Sequence, residues 1–89
     1  MPNKLPQVSY DRFADVLYIT ISHVPAVSRE EDAPGVFWRY DLQDKRTLVG
    51  VTILDFESYW SEHKERLIAE LANRLNLTSA KAARVLEAA

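Results

Sequence analysis

The chain has 89 residues, of which 27% are charged and 47% hydrophobic, with a net charge of −2 and no cysteine. This length is typical of one domain with a thin core, and without cysteine there is no disulfide and no thiolate metal site. The charge is untypical of a nucleic-acid-binding surface, and no apolar run approaches the ~20 residues of a membrane span. The first six residues are too few and too polar for a signal peptide, so we expect a soluble cytoplasmic protein.

The first part of the chain shows the two-residue period of β-strands. It predicts about four strands, at 8–10, 16–22, 36–42 and 48–54. Because proline cannot donate to a central ladder, the second strand ends at Pro25 or becomes an edge. Pro34-Gly35 fits the centre of a type II turn, and the tight connections make the strands antiparallel.

From Ser58 onward the period changes to that of a helix. The apolar stripe comprises Leu67, Ile68, Leu71, Ala72 and Leu75. Asn76 suits a left-handed helix stop, and Thr78 suits the N-cap of a second, shorter helix. The sequence therefore predicts an α+β fold, an antiparallel sheet of about four strands followed by two C-terminal helices. We expect one domain over 1–89, with the sheet in 7–56 and the helical tail in 58–89.

Three separated blocks carry a family resemblance. They are Tyr10-Asp11 with Ala14-Asp15-Val16-Leu17-Tyr18-Ile19, then Tyr40-Asp41, then Gly50-Val51 with Ile53-Leu54-Asp55. In order and approximate spacing they resemble domain-of-unknown-function family 2283, a group of small, mostly bacterial proteins. The resemblance implies a small sheet-forming unit without an assigned activity, some of whose members look like partners of small toxin-like proteins. Phe37-Trp38-Arg39 and the helical tail are not part of that pattern.

Residues with catalytic or metal-binding chemistry are scattered along the chain. Asp11, Asp15, Asp41 and Asp55 could converge as a hard-cation site, but aspartates at turns more often bond their own backbone. His23 and His63 have no histidine partner at helical spacing, which favours solvated surface histidines over a zinc or acid-base site. No nucleophile elbow or phosphate-binding glycine loop occurs. We therefore expect no enzyme activity, no cofactor and no metal, and we rank an acidic-site hydrolase last.

Aromatic residues are the most informative candidates for an interface. The candidates are Tyr18, Phe37, Trp38, Tyr40 and Trp60. Tyr18 and Phe37 alternate onto one sheet face, and Trp38 and Tyr40 onto the other. These side chains either enlarge a thin core or form an exposed patch for a partner. We expect a non-enzymatic binding module that forms a homo-oligomer, with a small protein partner and an antitoxin-like role as a further expectation.

The helical tail allows a second interpretation, a small DNA-binding regulator. Ala72, Asn76 and Leu77 sit where helix-turn-helix motifs have a small residue, a turn residue and an aliphatic residue. The candidate DNA contacts are Arg74, Lys81 and Arg84. An ordinary helical hairpin explains the same residues, and three cations are few for a DNA-binding surface. Nucleic acid is therefore the less favoured partner.

Overall fold

The sheet contains five antiparallel strands in the spatial order β1-β2-β5-β4-β3. The structure, a computed structural model, describes residues 6–88; the N-terminal residues 1–5, interpreted above as too polar for a signal peptide, and residue 89 lie outside it. The strands are β1 (Gln7–Asp11), β2 (Val16–Thr20), β3 (Ala26–Glu30), β4 (Val36–Asp41) and β5 (Leu48–Leu54). A 3-10 helix (Trp60–Glu62) precedes the helices α1 (Lys64–Arg74) and α2 (Ser79–Glu87). The predicted α+β class is confirmed.

One strand, β3, was missed in the sequence analysis, which predicted about four. It lies at the edge of the sheet and pairs only with β4, so most of its side chains are exposed. An edge strand with one solvated side needs no alternating apolar pattern. Ser28, Arg29 and Glu30 accordingly have the composition of a loop. The second strand ends at Thr20, before the predicted end, and the edge strand β3 begins directly after Pro25.

The core lies between one face of the sheet and the two helices. Every second residue of the three central strands faces it, so that Leu17 pairs with Ile53 and Ile19 with Val51. The helices contribute fully buried Leu67 and Leu71. The remaining members of this buried cluster include Trp38, Trp60, Ala82, Val85 and Leu86. The sheet and the helical tail therefore share one hydrophobic core, and the predicted stripe on α1 is its helical side.

The predicted turn residues take the predicted conformations. The Val36 amide donates to the Ala33 carbonyl at 3.2 Å, with Gly35 at φ 81°, as a type II turn requires. Asn76 is left-handed with φ 55°, and the Leu77 amide donates to the Ala72 carbonyl at 2.9 Å. The Thr78 hydroxyl caps α2 by accepting from the Lys81 amide at 3.1 Å.

The helical tail begins later than its sequence period indicates. The 3-10 helix lies between β5 and α1, and α1 starts only at Lys64. The intervening turn is fixed from Asp55, which is left-handed at φ 55° and whose carbonyl accepts from the Tyr59 and Trp60 amides. This tight turn brings Trp60 beneath the helices, where it is 1% exposed. None of the helices within residues 6–88 has the length and apolar character needed to cross a bilayer.

Gly50 lies at the closest approach of two strands, which makes it a test of the β2–β5 pairing. A Cβ at this position would lie 2.8 Å from the Ile19 carbonyl oxygen, a backbone atom that cannot move without disturbing the ladder. We predict that Gly50→Ala lowers the free energy of unfolding by ~1–3 kcal/mol, the usual effect of overpacking. Urea denaturation measures it.

Gly35→Ala is the matched control, because its Cβ would have ordinary contacts and only the left-handed φ would be strained, at about 1–2 kcal/mol. A Gly50→Ala protein whose unfolding midpoint equals that of the wild type would contradict the close approach.

Candidate functional site

The face of the sheet opposite the helices carries aromatic and aliphatic side chains and is covered by no helix or strand of residues 6–88. We call this the open face. Its central row, read across the register, is Ser9, Tyr18, Thr52, Phe37 and Glu30. Tyr18 is 39% exposed and Phe37 is half-buried. The neighbouring row pairs Val16 with Leu54, so the apolar part of this face spans three adjacent strands.

Only two of the five aromatic interface candidates lie on this open face, Tyr18 and Phe37. Trp38, Tyr40 and Trp60 are 0%, 8% and 1% exposed and belong to the core, so they are not available to a partner. Trp38 and Tyr40 alternate with Phe37 along β4 and therefore point at the helices. Trp60 is carried into the same core by the 3-10 helix.

Several exposed apolar side chains were not singled out from the sequence. Phe13 is fully exposed at the tip of the β1–β2 turn, and Tyr59 is 43% exposed beside the 3-10 helix. Ile21, Val24 and Leu42 are exposed at the other end of the sheet. For Phe13 a signal was present, because a phenyl group inside the polar turn Asp11-Arg12 has no strand face to occupy.

The turns 11–15 and 31–35 and the segment 55–58 meet at one end of the sheet, which we call the acidic end. They carry six carboxylates, and Glu30 at the end of β3 adds a seventh: Asp11, Asp15, Glu30, Glu31, Asp32, Asp55 and Glu57. The only basic residue of these segments is Arg12, and Arg74 approaches from α1. The β1–β2 turn is held by Asp11, which accepts from the Phe13 and Ala14 amides at 3.0 and 3.1 Å.

Asp15 joins the β1–β2 turn to the segment after β5. Its carboxylate accepts from the Tyr10 hydroxyl at 2.7 Å, the Glu57 amide at 2.7 Å and the Ser58 amide at 3.0 Å. The Ser58 hydroxyl donates to it as well, at 2.9 Å. Asp15 itself is left-handed, with φ 58°, a conformation that aspartate and asparagine tolerate better than other side chains.

These hydrogen bonds shift the acidity of both partners. The Glu57 amide, followed by the Tyr10 hydroxyl, lowers the pKa of Asp15 from 3.8 to about 2. The bond to Asp15 raises the pKa of Tyr10 from 10.0 to about 12. Since the folded state favours ionised Asp15, its contribution to stability is complete above pH 3.8 and is lost as the pH falls towards 2. The Tyr10 contribution is complete below pH 10 and is lost on the way to 12.

We predict that Asp15→Asn lowers the thermal midpoint by several degrees at pH 7. The NH₂ group of the asparagine would lie opposite hydrogen-bond donors, either the amide and hydroxyl of Ser58 or the Glu57 amide and Tyr10 hydroxyl. The variant should also lose part of the fall in stability between pH 4 and 2, measured by urea unfolding. Asp44→Asn is the matched control, since Thr47 and Arg46 hold the pKa of Asp44 at about 2 within one hairpin turn. If Asp15→Asn has the acid profile of the wild type, Asp15 does not join these two segments.

A second polar network attaches the end of α1 to the acidic end. The Arg74 guanidinium pairs with Asp32 at 2.6 Å and with Glu31 at 3.3 Å, and it donates to the Tyr40 hydroxyl. Tyr40 in turn donates to Glu31, a hydrogen bond that lowers the pKa of this carboxyl. The guanidinium carbon lies 4.5 Å from the centre of the Trp38 ring, a cation–π contact.

This network changes the set of candidate DNA contacts. Arg74 is held by two carboxylates and is not free to bind a phosphate, whereas Lys81 and Arg84 are exposed on α2. Glu31 and Asp32 therefore attach the end of α1 to the β3–β4 turn within the same chain, through Arg74.

We predict that specific DNA binding is absent. The two exposed cations of α2, Lys81 and Arg84, give a salt slope of only about −2 per chain, compared with 6–10 phosphate contacts in strong binders. Fluorescence anisotropy with duplex DNA measures this, and the variant Lys81→Glu, Arg84→Glu serves as control. Sub-micromolar binding at physiological salt that this variant abolishes would contradict the prediction.

The aspartates and histidines of the postulated metal sites do not come together. Asp41 lies at the end of the sheet opposite Asp15 and Asp55, where it accepts from the Gln43 amide at 2.9 Å. The Nε2 atom of His23 lies 2.7 Å from the Oε1 atom of Gln7 at the start of β1, whereas the His63 ring stacks on Tyr59. Across residues 6–88, no group of three or more histidines and carboxylates is placed to hold a metal ion.

A cleft of about 320 Å³ opens at the acidic end, between the β3–β4 turn and the 3-10 helix. Its walls are Pro34, Leu54, Tyr59 and Trp60, and two carboxylates border it, those of Glu30 and Asp55. Tyr59 is fixed by an edge contact with Trp60, with ring centres 4.9 Å apart, and by stacking on His63 at 4.4 Å. Glu30 accepts from the Gly35 amide at 2.8 Å through one oxygen.

The structure thus defines a two-layer α+β domain whose exposed features are an apolar sheet face and an acidic end with a cleft. Its sheet region, residues 7–56, matches the sequence profile of the family described as proteins of unknown function, DUF2283. The match covers more than half of the chain, and the protein belongs to this family. Neither the curated proteins nor the solved structures contain a match to the chain.

Proposed function

We propose that the protein is a non-enzymatic interaction domain that pairs with a second copy of itself through the open face. The observation that carries this proposal is the row Tyr18, Thr52 and Phe37 on a sheet face that no element of residues 6–88 covers. Tyrosine and phenylalanine are enriched in interfaces, and contiguous apolar patches are uncommon on monomeric proteins.

The size of the open face is sufficient for a weak dimer. Five strands about 4.8 Å apart and about 17 Å long cover roughly 400 Å² as a flat surface. Two such faces bury about 800 Å². Side chains that project from the strands add to this buried area and bring it towards the ~1,000 Å² of a specific interface. We therefore expect a dissociation constant in the micromolar range.

Charges on the open face also suit a copy of the same face. Arg39 lies across Gly50, where its side chain approaches within 3.8 Å of a Cβ position, and Glu30 lies at the β3 edge of the same face. In a twofold arrangement each Arg39 can meet a carboxylate of the other copy, so pairing brings no net like-charge repulsion. The antitoxin-like role implied by the family resemblance and the cytoplasmic location remain predictions.

Light scattering after size exclusion tests the proposal. We expect the wild type at about 100 μM to approach twice the 10.2 kDa mass of one chain, since this concentration exceeds a micromolar dissociation constant. Tyr18→Glu should reduce the mass to that of one chain while the variant stays folded by circular dichroism, because the site is partly solvated.

Leu42→Ser is the matched control, an exposed apolar residue outside the open face. A wild type that stays at the mass of one chain, or a Tyr18→Glu variant that keeps the dimer mass, would overturn the proposal.

A further inference from the structure

The cleft at the acidic end combines an aromatic side chain, an apolar floor and two carboxylates. It is therefore suited to one type of side chain, an arginine that is followed by an apolar residue. We propose that this cleft binds a basic, apolar peptide segment of another protein, with the arginine between Tyr59 and the carboxylates of Glu30 and Asp55. The cleft borders the open face, with which it shares Glu30 and Leu54, but the proposal does not require self-association.

The chain already contains a similar arrangement where the end of α1 meets the acidic end. Arg74 lies 4.5 Å from the Trp38 ring centre and pairs with two carboxylates, those of Glu31 and Asp32. The cleft offers an aromatic ring and two carboxylates without a bound cation from residues 6–88. A planar guanidinium satisfies both partners at once, because it stacks on a ring and donates to carboxylates in its plane. A lysine ammonium is a compact point charge without a flat face, so it cannot stack on the ring while it donates to both carboxylates.

Charge complementarity identifies the partner as basic. The acidic end has seven carboxylates and the two guanidinium groups of Arg12 and Arg74. Arg74 is already paired with Glu31 and Asp32. Such a surface accelerates the approach of cationic segments and disfavours acidic ones. It also disfavours a second copy of this chain, since two acidic ends would meet.

The cleft has room for more than the guanidinium. A cavity of about 150 Å³ holds a benzene ring, so 320 Å³ accommodates an arginine stem together with a neighbouring apolar side chain. Phe13 projects fully exposed from the same end, on a turn fixed by the Asp11 and Asp15 carboxylates. A phenyl group held rigidly in solvent is a suitable anchor for a partner that covers this end.

The test is a titration of ¹⁵N-labelled protein with three blocked dipeptides: acetyl-Arg-Leu-amide, acetyl-Glu-Leu-amide and acetyl-Arg-Gly-amide. We expect acetyl-Arg-Leu-amide to shift the amide resonances of Gly35, Leu54, Asp55 and Tyr59. Acetyl-Glu-Leu-amide should shift none of them, and acetyl-Arg-Gly-amide should bind more weakly because it lacks the apolar side chain. Added salt should weaken binding of the arginine peptides.

Asp55→Asn is the informative variant. Asparagine tolerates the left-handed φ of 55° and keeps the shape of the side chain, so the fold is preserved while one charge is removed. Affinity for acetyl-Arg-Leu-amide should fall about three- to five-fold, as expected for an exposed charge pair. Glu65→Gln, an exposed carboxylate on α1 away from the cleft, should leave it unchanged.

Three results would overturn the proposal. One is equal shifts with the Arg-Leu and Glu-Leu peptides, and another is unaltered affinity in Asp55→Asn. The third is a Phe13→Ser variant whose mass falls from that of the wild-type dimer to that of one chain. This result would assign the acidic end to a second copy of the chain. The first two results leave the Tyr18→Glu test of the open face unaffected, so a failure of the cleft proposal can be distinguished from a failure of the proposed dimer.

Discussion

The hydrogen bonds of Asp15 are the interaction on which the arrangement of the acidic end depends. They bridge segments 42 residues apart in the chain, because β5 inserts next to β2 and brings the Glu57 amide beside the β1–β2 turn. The same contacts fix the direction in which the chain leaves β5. From there the turn at Asp55 leads into the 3-10 helix, which carries Trp60 into the core and Tyr59 to the cleft. The hydrogen bonds of the Asp15 carboxylate thus help to place both Trp60 in the core and Tyr59 at the cleft.

The residues of the family resemblance turn out to be structural. Tyr10 donates to Asp15, Asp11 and Asp41 hold turns, and Gly50 allows two strands to approach. Tyr18 and Asp55 of these blocks are in addition parts of the proposed binding surfaces, whose other residues, Phe37, Phe13 and Tyr59, lie outside the blocks. Within this family, a shared sheet with different exposed residues is therefore compatible with different partners.

The sequence predicted those parts of the fold that depend on local chemistry. The type II turn at Pro34-Gly35, the left-handed Asn76 and the Thr78 cap each follow from one or two residues, and all three are confirmed. The alternation along β4 correctly placed Trp38 and Phe37 on opposite faces, but no local signal states which face the helices cover. The burial of Trp38 therefore emerged only from the tertiary arrangement, as did the pairing of Asp15 with Glu57.

The helical tail lies outside the segment that matches the family, yet it provides the cover of the sheet. Leu67, Leu71 and Val85 are the side chains that close the core over Trp38 and Ile19. Residues 7–56 of this chain consequently form a sheet whose apolar face would be exposed without the second layer of helices. A relative with the same strands and a different C-terminus has to obtain its second layer from another segment, another copy or another protein. The family match of this chain therefore describes its sheet, and the two helices that cover the sheet lie outside the matched segment.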